Sequence, residues 1–133
     1  EGYGIYCQPM MKVIQKVIKN QSGEEKVIDL TGASVDELFS YIAQDYPVQV
    51  WATASMNDVQ YSSTKSWYVK TLSGEYTNRK VSFPIAEHSL LLVGYDENNV
   101  IMNDPLSGVR KYSRKAFEKA YKSMGSQAFT IVE

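Results

Sequence analysis

"EHSLLLVGYDENNVIMNDP", residues 87–105, reads as two β-strands folded about a turn at Asp96-Glu97-Asn98-Asn99. Asn and Asp tolerate the tight backbone of a hairpin tip, and the flanking apolar runs supply its strands. Two polar residues stand at the open end. His88, the only histidine of the chain, precedes the first run, and Asp104, sixteen positions later, ends the second. A catalytic histidine needs reach to a nucleophile, a partner that fixes its tautomer, and a rigid support. Counting from a tip at Glu97-Asn98 sets Asp104 across from Leu91, three residues along the strand from His88. At roughly 3.4 Å per residue that gap is about 10 Å. Contact then requires strong twist or a β-bulge, and Gly94 is the natural place for one. Two readings stay open: a base with its orienting acid, or a surface histidine before a core strand followed by an Asp-Pro turn starter.

Upstream of the hairpin, Met10, Val13, Ile14, Val17 and Ile18 recur at helical spacing, and Pro9 suits a first turn. "NQSGEE" (20–25) ends this helix, and "KVIDL" (26–30) is a short extended piece. In "SVDELFSYIAQ" (34–44), Ser34 and Glu37 make a capping box while Val35, Leu38, Phe39 and Ile42 share a face. This second helix stops near Pro47, and "VQVWATA" (48–54) follows with the alternation of a strand. "MNDVQYSST" (56–64) reads as a polar loop, "KSWYVKT" (65–71) as a strand, residues 72–75 as a turn, and "KVSFP" (80–84) as a short strand. Downstream, "VRKYS" (109–113) leads to Ser113, which can cap a third helix. That helix groups Ala116, Phe117, Ala120, Tyr121 and Met124 on one face and ends at Gly125. "QAFTIV" (127–132) is a last strand. The order lacks regular βαβ alternation, which predicts an α+β domain with a mainly antiparallel sheet and helices packed against it.

A chain of 133 residues is one ordinary domain, able to bury roughly two thirds of the surface its unfolded form exposes. With 44% hydrophobic and 22% charged residues and no apolar run long enough to span a bilayer, no membrane span is expected. Fourteen basic residues against fifteen acidic ones, with the lysines scattered, argue against nucleic acid as a partner. The ten tyrosines read mostly as core-edge residues, apolar rings with polar tips. One cysteine and one histidine cannot fill a four-ligand zinc site, and Asp96 to Asn99 lacks EF-hand spacing, so no metal or cofactor is expected.

Five segments in order carry a resemblance: "GYGIY" at 2–6, "DLTGAS" at 29–34, "PVQVWAT" at 47–53, "HSLLLVGYDENNVIMNDP" at 88–105 and "FEKAYKSMGSQA" at 117–128. Together they span nearly the whole chain. They resemble the bacterial papain-like cysteine peptidases of family thirty-nine, the bacteriocin-processing peptidase relatives, and their surface-protein kin. The resemblance implies a papain-like α+β fold and amide-bond hydrolysis or transfer by a Cys-His-Asp triad. His88 takes the place of the general base and Asp104 that of the acid holding its tautomer. Asn103, beside Asp104, points to the opposite strand face. A peptide or protein substrate and a place outside a bacterial cell or on its surface are further implications.

In that family the nucleophilic cysteine, with a glutamine shortly before it, opens a helix upstream of the "GYGIY" segment. By this alignment residues 1–133 form a single papain-like peptidase domain lacking its N-terminal part and first helix, and inactive as it stands. The face left bare would favour self-association. The alternative function is a non-catalytic papain-like binding domain of a surface or secreted protein. Cys7 is the rival nucleophile, placed before a helix whose N-terminus can depress a thiol pKa, or else an ordinary partly buried thiol. Trp51 reads as a half-buried aromatic on a sheet face or as a groove wall near His88. Trp67 has the same structural reading and less reason to belong to a site.

Overall fold

The computed structural model describes residues 4–21 and 23–133. Its elements run α1 (Cys7–Asn20), β1 (Lys26–Asp29), α2 (Val35–Ile42), β2 (Val48–Thr53), β3 (Gln60–Lys70) and β4 (Tyr76–Ile85), then β5 (Glu87–Tyr95), β6 (Asn99–Asp104), β7 (Gly108–Ser113), α3 (Arg114–Ser123) and β8 (Ala128–Val132). Six strands form one antiparallel sheet in the order β1-β8-β2-β5-β6-β7. The remaining two, β3 and β4, pair only with each other as a separate antiparallel ribbon. The α+β expectation holds.

The hairpin and β2 make the centre of the sheet because their alternate residues are apolar on one side. Val48, Val50 and Ala52 face the same way as Leu90, Leu92, Val100 and Met102, and all seven are buried. Leu38 and Phe39 of α2 and Phe117, Ala120 and Tyr121 of α3 close over them. The Ser34 and Glu37 capping box forms in both directions and starts α2. Gly125, at φ +84°, takes the left-handed position just past the end of α3, which a residue without Cβ adopts at least cost. The opposite sheet face packs Trp51 and Phe129 against Cys7 and Met11 of α1.

Three sequence expectations change. Cys7 and Met11 form the buried line of α1, while Val13 and Val17 are about half exposed. Helical spacing marks an apolar face but not which part of it finds a partner. Gln60–Thr64 belong to β3 instead of a loop, and β4 begins at Tyr76, four residues before the expected strand. Cross-strand pairing of an irregular ribbon, with register shifts on either side of Ser66–Tyr68, supplies the order that local polarity did not suggest. Trp51 is 2% exposed, not half-buried, because α1 covers its face.

Candidate active site

The two polar residues at the open end of the β5–β6 hairpin meet. His88 Nε2 lies 2.9 Å from Asp104 Oδ1, and the side chains are only 10% and 6% exposed. Such low exposure separates this pair from a solvated surface ion pair.

A bulge brings them together. Near the tip Tyr95 faces Val100 and Gly94 faces Ile101, but beyond it Leu92 faces Met102 and Leu91 faces Asn103. The extra residue on β5 is Val93. Continuing the register sets Asp104 across from Leu90, so the expected pairing with Leu91 is corrected by one position. That single step matters twice. It shortens the axial gap to two residues, roughly 7 Å, which two side chains can span. It also moves Asp104 to the strand face of Leu90 and His88, since a one-residue slip turns every side chain over. Gly94 flanks the bulge under the Ile101 side chain, where an added Cβ would sit 3.3 Å from Ile101 Cδ1. Asn103 lies across from Leu91 and is exposed.

Asp104 is held from several sides. Its Oδ1 also accepts the Leu106 N–H at 2.8 Å, and its Oδ2 accepts the Tyr112 hydroxyl at 3.2 Å. The bond to Leu106 is the local Asp-to-(i+2) turn bond of an Asp-Pro start, so the turn-starter reading and the orienting reading describe one carboxylate. The Leu106 N–H acts most strongly, against the opposing cost of burial, with His88 and Ser107 adding to it. Together they hold the carboxyl well below the usual carboxylate range. The Tyr112 hydroxyl is pushed up, first by burial and then by the Asp104 charge. Tyr112 and Ser107 were not singled out from sequence, and Tyr112 reaches Asp104 from a strand position opposite Val100.

An ionised carboxylate only accepts hydrogen bonds. The Nε2 of His88 therefore carries the proton and Nδ1 keeps its lone pair, an assignment from the bonding pattern. The arrangement can accept a proton at Nδ1 and neutralise the resulting imidazolium through Asp104.

The depressed Asp104 carboxyl has a consequence for stability. Its folded-state value lies below its unfolded one, so its contribution is complete above about pH 4 and is lost as pH falls through the folded value. Asp104→Asn should start from lower stability at neutral pH and show a shallower acid loss below about pH 4. Urea unfolding of both proteins between pH 7 and pH 2 measures it, and parallel acid limbs would refute it.

Cys7 is the first residue of α1, and its thiol is fully buried. The sulfur donates to the Ala128 carbonyl at 3.4 Å and accepts from the Thr31 hydroxyl at 3.6 Å, while its N–H donates to Gln127 Oε1. Burial, reinforced by the Asp29 charge, pushes the thiol up despite the helix N-terminus. It packs on the Trp51 face, whereas His88 pairs with Ala52 on the other face. The Trp51 Nε1 donates to the Ile5 carbonyl at 3.0 Å, so this side chain anchors the segment before α1 and does not wall a groove at His88. Trp67, 47% exposed on β3, lines a groove with Tyr61 and Phe83. Asp96 Oδ1 accepts the N–H groups of Asn98 and Asn99, an ordinary turn cap.

Helices on both faces of an antiparallel sheet, with a central hairpin ending in a hydrogen-bonded imidazole and carboxylate, put this fold among the papain-like peptidases. The chain belongs to the Peptidase_C39 like family, whose profile matches residues 1–129. It is similar to the uncharacterized protein YvpB of Bacillus subtilis (strain 168), with 37% identity over 131 residues, covering 98% of this chain and 47% of that protein. It is also similar to the crystal structure of a proposed C39-like peptidase from Bacillus anthracis. There the TM-score is 0.77 and the identity 31%, over 100% of this chain and 62% of that one. The chain thus spans about half the length of the curated relative it matches.

Proposed function

We propose that His88 and Asp104 are the base and orienter of a cysteine peptidase site acting on a peptide or protein, and that the thiol comes from outside residues 1–133. The observation that carries the reading is the 2.9 Å bond from His88 Nε2 to Asp104, which leaves Nδ1 as the proton acceptor. In the reaction Nδ1 takes the thiol proton, and the thiolate attacks the amide carbonyl. The imidazolium returns that proton to the leaving amine, and water then releases the acyl group from sulfur.

Two further features support the reading. Cys7 is buried with a raised pKa on the other sheet face, so it is unsuited to serve His88. An apolar depression lined by Met10, Ile14, Leu91 and Phe129, on the α1 side of the sheet, borders Asp104 and Pro105 and offers packing for a segment from outside residues 1–133. The same depression is where copies of this chain would associate. A groove of about 930 Å³ between the β3–β4 ribbon and the end of α3 includes Pro84, four residues before His88, and would take an extended substrate chain. A site of action outside a bacterial cell is part of the proposal.

The test uses the longer, thiol-bearing protein and an iodoacetamide-type label. Labelling that persists in Cys7→Ser and falls with His88→Ala supports the proposal. Labelling lost with Cys7→Ser overturns the placement of the thiol. A protein with no reactive thiol that still captures peptides would be the binding domain instead. A chain of residues 1–133 that stays monodisperse and monomeric at high concentration would count against the association face.

A further inference from the structure

The β3–β4 ribbon stands apart from the six-stranded sheet in charge as well as in pairing. Residues 60–85 hold four basic side chains and one acidic one, a net +3, and with −1 for the whole chain the other residues carry −4. Four of the ten basic side chains outside the ribbon are paired with carboxylates. Lys111, Lys119 and Lys122 pair with Asp96, Asp58 and Glu118, and Arg114 pairs with Asp36. Lys70 and Lys80 of the ribbon make no ion pair among the described residues. Instead they lie over aromatic rings, Lys70 Nζ 4.5 Å from the centre of Tyr76 and Lys80 Nζ 5.9 Å from that of Tyr68.

These four make two facing pairs, with a register shift between them. Tyr68 is directly across from Lys80, and Lys70 is directly across from Tyr76. All four are exposed, and the turn beyond them presents Leu72, which is fully exposed. A two-stranded ribbon is marginal by itself in water; in this one Tyr68, Leu72 and Tyr76 are exposed, while Val69, Val81 and Phe83 are partly buried. Amphipathic rings, lysines on long stems and a leucine at the leading edge match the chemistry of a bilayer interface. Tyrosine rings settle among headgroups, ammonium groups meet lipid phosphates, and the leucine enters the acyl boundary.

We propose that the Tyr68-Lys70-Tyr76-Lys80 group of the β3–β4 ribbon, led by Leu72, docks on an anionic lipid surface. It lies on the bilayer and does not cross it, and no helix of the described residues is long and apolar enough to do so. A soluble polyanion would use the lysines but gain nothing from Leu72, which is why a lipid surface is the better match.

Flotation of the 133-residue chain with vesicles tests this. Binding is expected to phosphatidylcholine vesicles containing about a third phosphatidylglycerol, and to fall steeply as salt is raised from 0.1 M to 0.5 M. Lys70→Gln with Lys80→Gln should weaken it roughly 25-fold, from about fivefold per basic residue at an anionic surface. Leu72→Ser should weaken it about tenfold or more through lost apolar burial. All these side chains are exposed, so the variants should keep the parent's circular dichroism and melting curve. No binding to the anionic vesicles, or equal binding to phosphatidylcholine alone, would overturn the proposal. So would binding that is competed by soluble polyphosphate and indifferent to Leu72→Ser, which would identify a soluble polyanion as the ligand.

Discussion

His88→Ala is expected to lower amide hydrolysis by the thiol-bearing protein about 10⁴-fold, the upper range for loss of a general base. The side chain is unreplaced chemically, since in the proposed site Nδ1 accepts the thiol proton, while Nε2 is tied to Asp104. The substitutions at Asp104 should grade below it in an informative order. Asp104→Ala removes both the charge that balances an imidazolium and the acceptor that fixes the ring, and about a 10³-fold loss is expected. Asp104→Asn should lose less, about 10- to 100-fold, because the Leu106 N–H already points at the Oδ1 position. A donor there forces the amide oxygen, not its NH₂, to face Leu106 and His88, so the tautomer is kept while the charge is lost. The hydroxyl of Tyr112 can turn to accept from the NH₂ left at the Oδ2 position. Steady-state kinetics on the three variants, with circular dichroism to show that each folds, would check the order. Asn as damaging as Ala would mean that charge, not orientation, is what Asp104 supplies.

Trp51→Ala should be the most damaging single change to stability, costing about 3–5 kcal/mol. Trp51 is the largest of the fully buried side chains and fills the space between β2, Phe129 and α1. Its loss also leaves the Ile5 carbonyl without the indole donor. Against a total of about 5–15 kcal/mol for a domain, that change takes the protein close to its unfolding threshold. Trp51→Phe should cost about 1–2 kcal/mol, since it keeps most of the volume and loses the hydrogen bond. Urea unfolding gives both values. A second readout is independent of them: the buried Cys7 thiol belongs to the same cluster, so its reaction with a disulfide reagent should be slow in the parent and much faster in Trp51→Ala. Unchanged thiol protection would show that α1 is held without the tryptophan.

Local pattern was enough for the architecture. Apolar alternation in 48–53, the apolar run after His88, turn formers at 96–99, the Ser34 and Glu37 box and the Gly125 terminus each act over a few residues, and each appears where the sequence places it. Such signals are legible because the physics that sets them is short-ranged. The ribbon of β3 and β4 was only half legible, since its strands are polar and irregular and owe their order to one another.

The candidate site depended on more. His88 and Asp104 could be named from the sequence, yet a count of residues from the turn set them about 10 Å apart. One extra residue at Val93 closed that gap, beside Gly94, which the sequence marks as the natural place for a bulge; that the bulge forms is decided by how the strands pair. The hydroxyl of Tyr112 reaching Asp104, the burial of Trp51 under α1, and the raised, enclosed thiol of Cys7 likewise arise where distant segments meet. Sequence by itself determined which elements form and which residues could carry chemistry. Tertiary structure decided which of them touch, because contact across strands follows register, and register is a property of the packed sheet.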